Sequence, residues 1–384
     1  MAALAGLRVI EFAGLAPVPF TGMILADFGA VVTRIDRVKL ALDADRLARG
    51  KRSVAIDLQD FRGKEVARKL CLKADVLIEP FRPGVMEKLG LGPEILLKEN
   101  PSLIYARLTG YGQTGSNAKR AGHDINYVAL NGLLSMLQCK DKKPYPPINL
   151  LADFAGGGMT CALGILLALI ERNRSGKGQV IDSSMVEGAA YIGSFIYKNL
   201  DSEFLWPNKT EPGANLLDSG APFYDTYQTA DGKYMAVGAV EPKFYDRLLK
   251  GLQLEGQLPH QMDMDQWPKM KEQVAKAFAS RTQAEWCETF KDLDACVEPV
   301  LTVDEAVIHP HNKDRETFVL NEGLYEPTPA PKLSRTPGNC EQTPSICIGQ
   351  HTKEILLEAG YSQAEIQELL KEGVVDCPNM KSSL

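Results

Sequence analysis

The sequence predicts an α/β protein with a large domain built on a parallel sheet and a smaller α+β domain. Three observations carry this. Short apolar or β-branched runs alternate with helix-periodic segments through residues 1–182, the pattern of strands joined by crossover helices. An Asp231-Gly232 pair separates strand-like runs at 224–229 and 234–240, an antiparallel hairpin signal. The length of 384 residues suits two domains, or one with an insertion, at about 150 residues each.

Taken in order, residues 7–12 form an apolar strand, which Gly14-Leu15-Ala16-Pro17 interrupts. Residues 20–28 then carry helical periodicity and 30–35 are β-branched. Helix 61–72 precedes strand 75–79, and helix 92–98 precedes strand 103–108. Residues 156–170 are apolar all round, so this helix is expected to be buried. A strand at 179–182 follows the turn Ser175-Gly176-Lys177-Gly178. Residues 201–224, rich in Pro, Asn and Gly, read as a linker, and 225–320 as the small domain. Within the latter, helices are expected at 242–253, 266–279 and 283–291, and a strand at 297–302. Pro-rich coil covers 326–344. A helix pair follows, its second member opened by the capping box Ser362-Gln363-Ala364-Glu365 and closed near Gly373. Residues 1–200 and 321–384 together make the large domain.

Composition narrows the function. Hydrophobic residues make up 45% and charged residues 24%, which excludes a disordered, collagen-like or disulfide-scaffold protein. The net charge is -6, with no long basic run, so nucleic acid is not an expected partner. The longest apolar run, 159–170, is shorter than the ~20 residues of a spanning helix, and no transmembrane segment is expected. The eight cysteines contain no C-x-x-C pair and no signal-peptide pattern opens the chain. A reducing intracellular compartment is therefore expected. The tail Lys381-Ser382-Ser383-Leu384 loosely echoes a peroxisomal address.

Several chemistries fail on inspection. The first turn runs from Gly14 to Gly22 without G-x-G-x-x-G, and two prolines remove amide donors. No nucleophile elbow or phosphate-binding P-loop occurs. His309 and His311 lack a third ligand at a recognisable spacing, so no metal is expected. Of five histidines, His260, His309, His311 and His351 lie in polar coil and read as exposed. His123 stands at a turn-to-helix junction, placed either to cap or pack the helix or to project into a cleft. Asp153 precedes Gly156-Gly157-Gly158, as a helix N-cap or as a catalytic carboxylate. The glycines mean close helix packing, a path for a ligand to backbone N–H groups, or both.

Four segments together are distinctive: Gly122-His123-Asp124-Ile125-Asn126-Tyr127, residues 150–158, residues 174–182 and Gly238-Ala239-Val240-Glu241-Pro242. They resemble the family III CoA-transferase superfamily, as do Val9-Ile10-Glu11-Phe12, Arg49-Gly50-Lys51-Arg52-Ser53 and Glu79-Pro80-Phe81-Arg82-Pro83-Gly84-Val85. The likeness runs from about residue 5 into the C-terminal helices. It implies a Rossmann-like large domain, an inserted small α+β domain and an interlocked homodimer whose sites draw on both subunits. The joint presence of His123 and Asp153 matches the superfamily's racemases, which invert 2-methylacyl-CoA thioesters of branched fatty acids and bile-acid intermediates. The alternatives are a CoA-transferase forming an acyl-aspartate at Asp153, or an acyl-CoA-binding scaffold without activity.

The resemblance assigns catalysis to His123 and Asp153, with Glu241 as a supporting carboxylate; Pro242 beside it is equally a natural first helical residue. It implies CoA contacts at Arg37, Ala55, Ile56, Asp57, Leu58, Glu79, Arg82, Gly122, Asp124, Ile125, Asn126 and Tyr127. Arg37 is the natural phosphate partner. No separate cofactor is implied, since CoA is part of the substrate. A peroxisomal import receptor is the partner for the tail, and peroxisome and mitochondrion are the expected locations. Two departures stand out: Val18 replaces a usual glycine, and Val38 a usual proline. Val18 is expected either to be tolerated by the backbone or to narrow the acyl pocket.

Overall fold

The computed structural model describes residues 2–39, 45–138, 143–208, 211–340 and 346–378. The tail Lys381-Ser382-Ser383-Leu384 and Cys139 lie outside them. The chain forms two compact units: Met1–Asn131, Pro147–Ile192 and Glu316–Leu384 make the first, Gly132–Pro146 and Gly193–Arg315 the second.

The first unit opens with β1 (Arg8–Phe12), α1 (Pro17–Asp27) and β2 (Val31–Arg37). α1 starts earlier than its periodicity suggests because Pro17 suits a first helical position. There follow β3 (Lys51–Ile56), α2 (Phe61–Leu72), β4 (Val76–Glu79), α3 (Val85–Lys88), α4 (Pro93–Glu99) and β5 (Ile104–Thr109). Then come α5 (Asp124–Leu130), a π-helical segment (Leu150–Met159), α6 (Thr160–Ser175), β6 (Val180–Ser184) and α7 (Met185–Ile192).

The second unit contains α8 (Ser194–Lys198), β7 (Tyr224–Gln228), β8 (Tyr234–Gly238), α9 (Pro242–Leu252), α10 (Trp267–Phe278), α11 (Gln283–Phe290), β9 (Val297–Pro299), α12 (Val303–Ile308) and α13 (Pro310–Asp314). Back in the first unit are β10 (Phe318–Asn321), β11 (Leu324–Pro327), α14 (Thr352–Glu358), α15 (Gln363–Lys371) and β12 (Val375–Asp376).

The main sheet has the order β12-β3-β2-β1-β4-β5-β6. All its pairings are parallel except β12 on β3. The strand order reverses between β1 and β4, and ligands of such sheets bind beyond the strand ends at that point. There the loops meet closely: a methyl on Gly14 would lie 2.9 Å from Pro80. The core on one face of the sheet joins Phe12, Val54, Leu77 and Tyr105 to Val66, Leu356 and Leu369 of the helices.

Five expectations need correction. The supposed linker is packed: Leu216, Ala221 and Phe223 belong to the core of the second unit. Asn215 and Asp218 staple it, with Asn215 and Gly213 N–H groups donating to Asp218. Isolated anchors of this kind leave no periodic trace. Part of the Pro-rich coil is the end of the β10–β11 hairpin. His309 and His351 are half-buried, the Nδ1 of His351 accepting the Ser53 N–H at 3.1 Å. The apolar helix is not buried all round, because Leu163, Leu167 and Ile170 are at least half exposed. Finally, the π segment runs straight into α6, so Leu150–Ser175 is one helix of 26 residues, long and apolar enough to cross a membrane by length and composition. Core helices of soluble proteins meet the same criterion, and this one packs against α1 and α7.

Candidate active site

Two segments of the first unit carry the proposed acid–base pair. His123 is the N-cap of α5, extended (φ -131°, ψ 175°) and exposed. Its backbone N–H donates to Asn126 Oδ1 at 3.0 Å, and the Asn126 N–H donates back to His123 O, a reciprocal cap that fixes where α5 begins. Tyr127 adds a lock: its Oη donates to Gly122 O at 2.5 Å and its ring meets Tyr111 edge-on at 5.0 Å. A side chain at Gly110 would strike the Tyr127 ring at 2.2 Å. The imidazole is thus carried by a backbone held from both sides.

Asp153 is not an N-cap. It lies in the first turn of the π segment, where Asn149 occupies the cap. π turns recur at functional sites because the extra residue re-aims a side chain. The Asp153 carboxyl is half-buried and accepts from Asn149 Nδ2 at 3.3 Å. Burial raises its pKa above the ordinary Asp value, the Asn149 bond opposes this, nearby Asp124 raises it further and nearby His123 lowers it. Asp153 therefore senses the charge of His123.

Asp124 was expected to touch CoA, but its side chain is 2% exposed. Its Oδ2 accepts the backbone N–H groups of Ala152 at 2.6 Å and Asp153 at 2.8 Å. No local pattern reveals this, since the partners lie 28 and 29 residues away.

The triglycine resolves toward close packing. A methyl on Gly188 of α7 would lie 1.8 Å from Gly156 O, and one on Gly156 would lie 2.4 Å from Ala189 N. Gly158 similarly faces Pro17 O. Backbone atoms cannot retreat as a flexible side chain can. Gly188→Ala is expected to destabilise the fold by about 1–3 kcal/mol, measured as a lowered urea midpoint. Val18 is fully buried in α1, so its side chain packs in the core and does not narrow an open pocket.

The expected CoA contacts divide. Arg37 is exposed at the carboxyl end of β2, and half-buried Asp57 and Leu58 follow β3. Arg82 is exposed and close enough to act on the Tyr127 phenol. Gly122 is half-buried, Ile125 and Asn126 are exposed and Tyr127 is buried. Ala55 and Ile56 are buried; β12 pairs with their strand and Thr352 Oγ1 takes the Ala55 N–H. Glu79 is fully buried: it accepts from Arg107 Nε at 2.7 Å and from the Phe81 N–H at 2.6 Å. Burial pushes its pKa up to about 7, against the pull of those donors. Its carboxyl braces the end of β4 and does not present itself to a phosphate.

Glu241 belongs to the second unit. It precedes Pro242, the first residue of α9, and its side chain makes no capping bond. The exposed carboxylate is therefore not spent on the helix, whose first N–H groups, from Phe244 and Tyr245, go to the Glu241 carbonyl.

The model of CoA-transferase family III matches residues 4–352. α-Methylacyl-CoA racemase of Mus musculus is 56% identical over 385 residues, spanning 99% of this chain and all of that protein. α-Methylacyl-CoA racemase of Homo sapiens is 55% identical over the full length of both. A crystal structure of a CAIB/BAIF family protein from Brucella suis superposes with a TM-score of 0.80 at 23% identity, covering 93% of this chain and 99% of that one, which shows the fold alone.

Proposed function

The chain belongs to CoA-transferase family III, and from that membership we propose that it interconverts the (R) and (S) forms of 2-methylacyl-CoA thioesters by 1,1-proton transfer. The 55–56% full-length identity to α-methylacyl-CoA racemases supports this reading. The observation that carries the mechanism is the bond from the Asp153 N–H to Asp124, the residue after His123, at 2.8 Å, which brings the two segments together, with burial raising the Asp153 pKa above its ordinary value.

A carbon α to a thioester inverts if one group removes its proton from one face and another supplies a proton to the opposite face. In one direction neutral His123 takes the α-proton, leaving an enolate, and protonated Asp153 returns a proton to the other face. The reverse direction uses ionised Asp153 and protonated His123. One proton shared between two bases therefore serves both. A transferase would instead use Asp153 as a nucleophile, for which displacement toward the protonated form is a handicap. The substrates proposed are thioesters of branched fatty acids and bile-acid intermediates, with the exposed Arg37 and Arg82 as cations for the CoA phosphates.

In heavy water, either enantiomer of a 2-methylacyl-CoA is expected to gain deuterium at the α-carbon while inverting, with no CoA passed to a free acid. CoA transfer without α-exchange would overturn the proposal in favour of the acyl-aspartate route.

The proposal includes a homodimer. Met159, Leu163, Leu166, Leu167 and Ile170 are exposed, each with a neighbour three or four positions away, a continuous apolar stripe on the helix whose first turn carries Asp153. A second copy is the occupant proposed for this stripe, its Glu241 completing the site as the supporting carboxylate. Sedimentation showing an active monomer would remove this part.

A further inference from the structure

Asp124 is a buried carboxylate that the acid–base mechanism leaves unused. It is 2% exposed, and no cation bonds it among the described residues. Oδ2 takes two backbone N–H groups, while Oδ1 is buried without any hydrogen-bond partner. A buried carboxylate left half-satisfied is destabilising. Its position gives it a use: Asp124 directly follows His123, and its two donors are Asp153 and the residue before it.

We propose that Asp124 is the positioning residue of the reaction, a clamp that ties the helix bearing His123 to the segment bearing Asp153 and sets its own carboxylate against Asp153. The proposal rests on the acid–base reading of those two residues. Both effects act on the same atoms. The two N–H bonds hold the first π turn, so the Asp153 carboxyl keeps its place relative to His123. The charge opposes ionisation of Asp153 and so favours its protonated, proton-donating form. Among the described residues, these charges bear on Asp153. His123 and Asp124 come from the α5 side, and the phenol of Tyr127 feels Asp153 in turn. α1 and α7, also packed on the segment, carry Asp27, which is bonded to Arg49, and Glu187, which is exposed. β5 and β6 carry Arg107, bonded to Glu79 and Glu87, and Asp182, which accepts the Gln113 N–H. The charges of α6, Glu171, Arg172 and Arg174, lie at its far end.

The test compares Asp124→Asn, Asp124→Ser and Asp153→Asn. Asn and Ser keep an oxygen for the amides and remove the charge. Two readouts are taken on each folded protein: the pH dependence of α-proton exchange, and the carboxyl titration of Asp153 by NMR on protein with ¹³C-labelled aspartate, its signal assigned from Asp153→Asn. The expected result is that the Asp153 midpoint falls toward the ordinary Asp value, by on the order of one pH unit. The acid limb of the rate profile should move to lower pH by the same amount, with KM for the thioester changed less than about twofold. A merely structural residue would move neither. If both uncharged variants leave midpoint and limb in place while Asp153→Asn no longer inverts the thioester, the clamp is overturned and the acid–base reading stands. An Asp153→Asn variant that inverts the thioester at a near-normal rate would instead overturn the acid–base reading.

Discussion

Asp153→Asn and His123→Ala are each expected to lower racemisation at least ~10²–10⁴-fold, the usual contribution of a positioned acid–base group. The two losses should differ in kind. Without Asp153, His123 can still exchange the α-proton of the enantiomer it faces, but nothing supplies a proton to the opposite face. Without His123, the other enantiomer keeps that residual exchange. Deuterium uptake without inversion, confined to opposite enantiomers in the two variants, is the fingerprint of two bases on two faces. Asn preserves the shape of Asp153 and can accept from Asn149, so the loss reports proton chemistry more than packing. Near-normal inversion in both variants, measured with chirally pure thioesters, would refute the assignment.

Lys51→Met is expected to cost the first unit about 3–5 kcal/mol, the range for stripping one partner from a buried ion pair. Lys51 and Glu11 are both fully buried. Lys51 Nζ donates to both Glu11 oxygens and to Pro19 O, each at 2.9 Å. α1 rests directly on this pair, since a methyl on Gly22 would lie 1.7 Å from Glu11 Oε2. Replacement by Met keeps much of the volume and strands the carboxylate. The pH dependence has a definite sign. Burial raises the Glu11 pKa in the folded protein above its ordinary value of 4.5, and Lys51 opposes that rise. Without Lys51 the folded value climbs further. A carboxyl with a raised folded pKa gives stability that is present below the unfolded value and lost as pH rises through the folded one. The variant should therefore be most stable in acid and weaken on raising the pH above about 4.5, more steeply than the parent. Urea midpoints that match the parent's across that window would show that the pair carries no such weight. Glu11→Gln combined with Lys51→Met should recover part of the loss, because no buried charge remains.

Much of this architecture is legible in the chain. β1, β2, β4, β5 and β6 sit where apolar or β-branched runs predict strands, because side chains buried on both faces of a parallel sheet leave a continuous apolar signature; β3, which opens with Lys51-Arg52-Ser53, was not among the expected strands. The Ser362 capping box opens α15 as expected, its Oγ accepting from Glu365 N–H, since a cap is a contact between neighbours in sequence. Less legible were β12, two residues long and recruited by a distant edge, and the stretch 201–224, whose buried anchors follow no period. The apolar run at 156–170 misled in another way. Periodicity shows that a face must be covered, but not whether the same chain covers it.

At the site, the sequence by itself marked the candidates: His123, Asp153 and Glu241 stand in recognisable segments because such groups and their local turns are written in neighbouring residues. It did not separate Glu79, sealed against Arg107, from Arg37, open to solvent, because burial depends on which strands meet. Only the tertiary structure decided that Asp124 faces inward and binds amides 28 and 29 residues away. Hydrogen bonds and desolvation act between groups that folding brings together, and their distance along the chain leaves no trace of them.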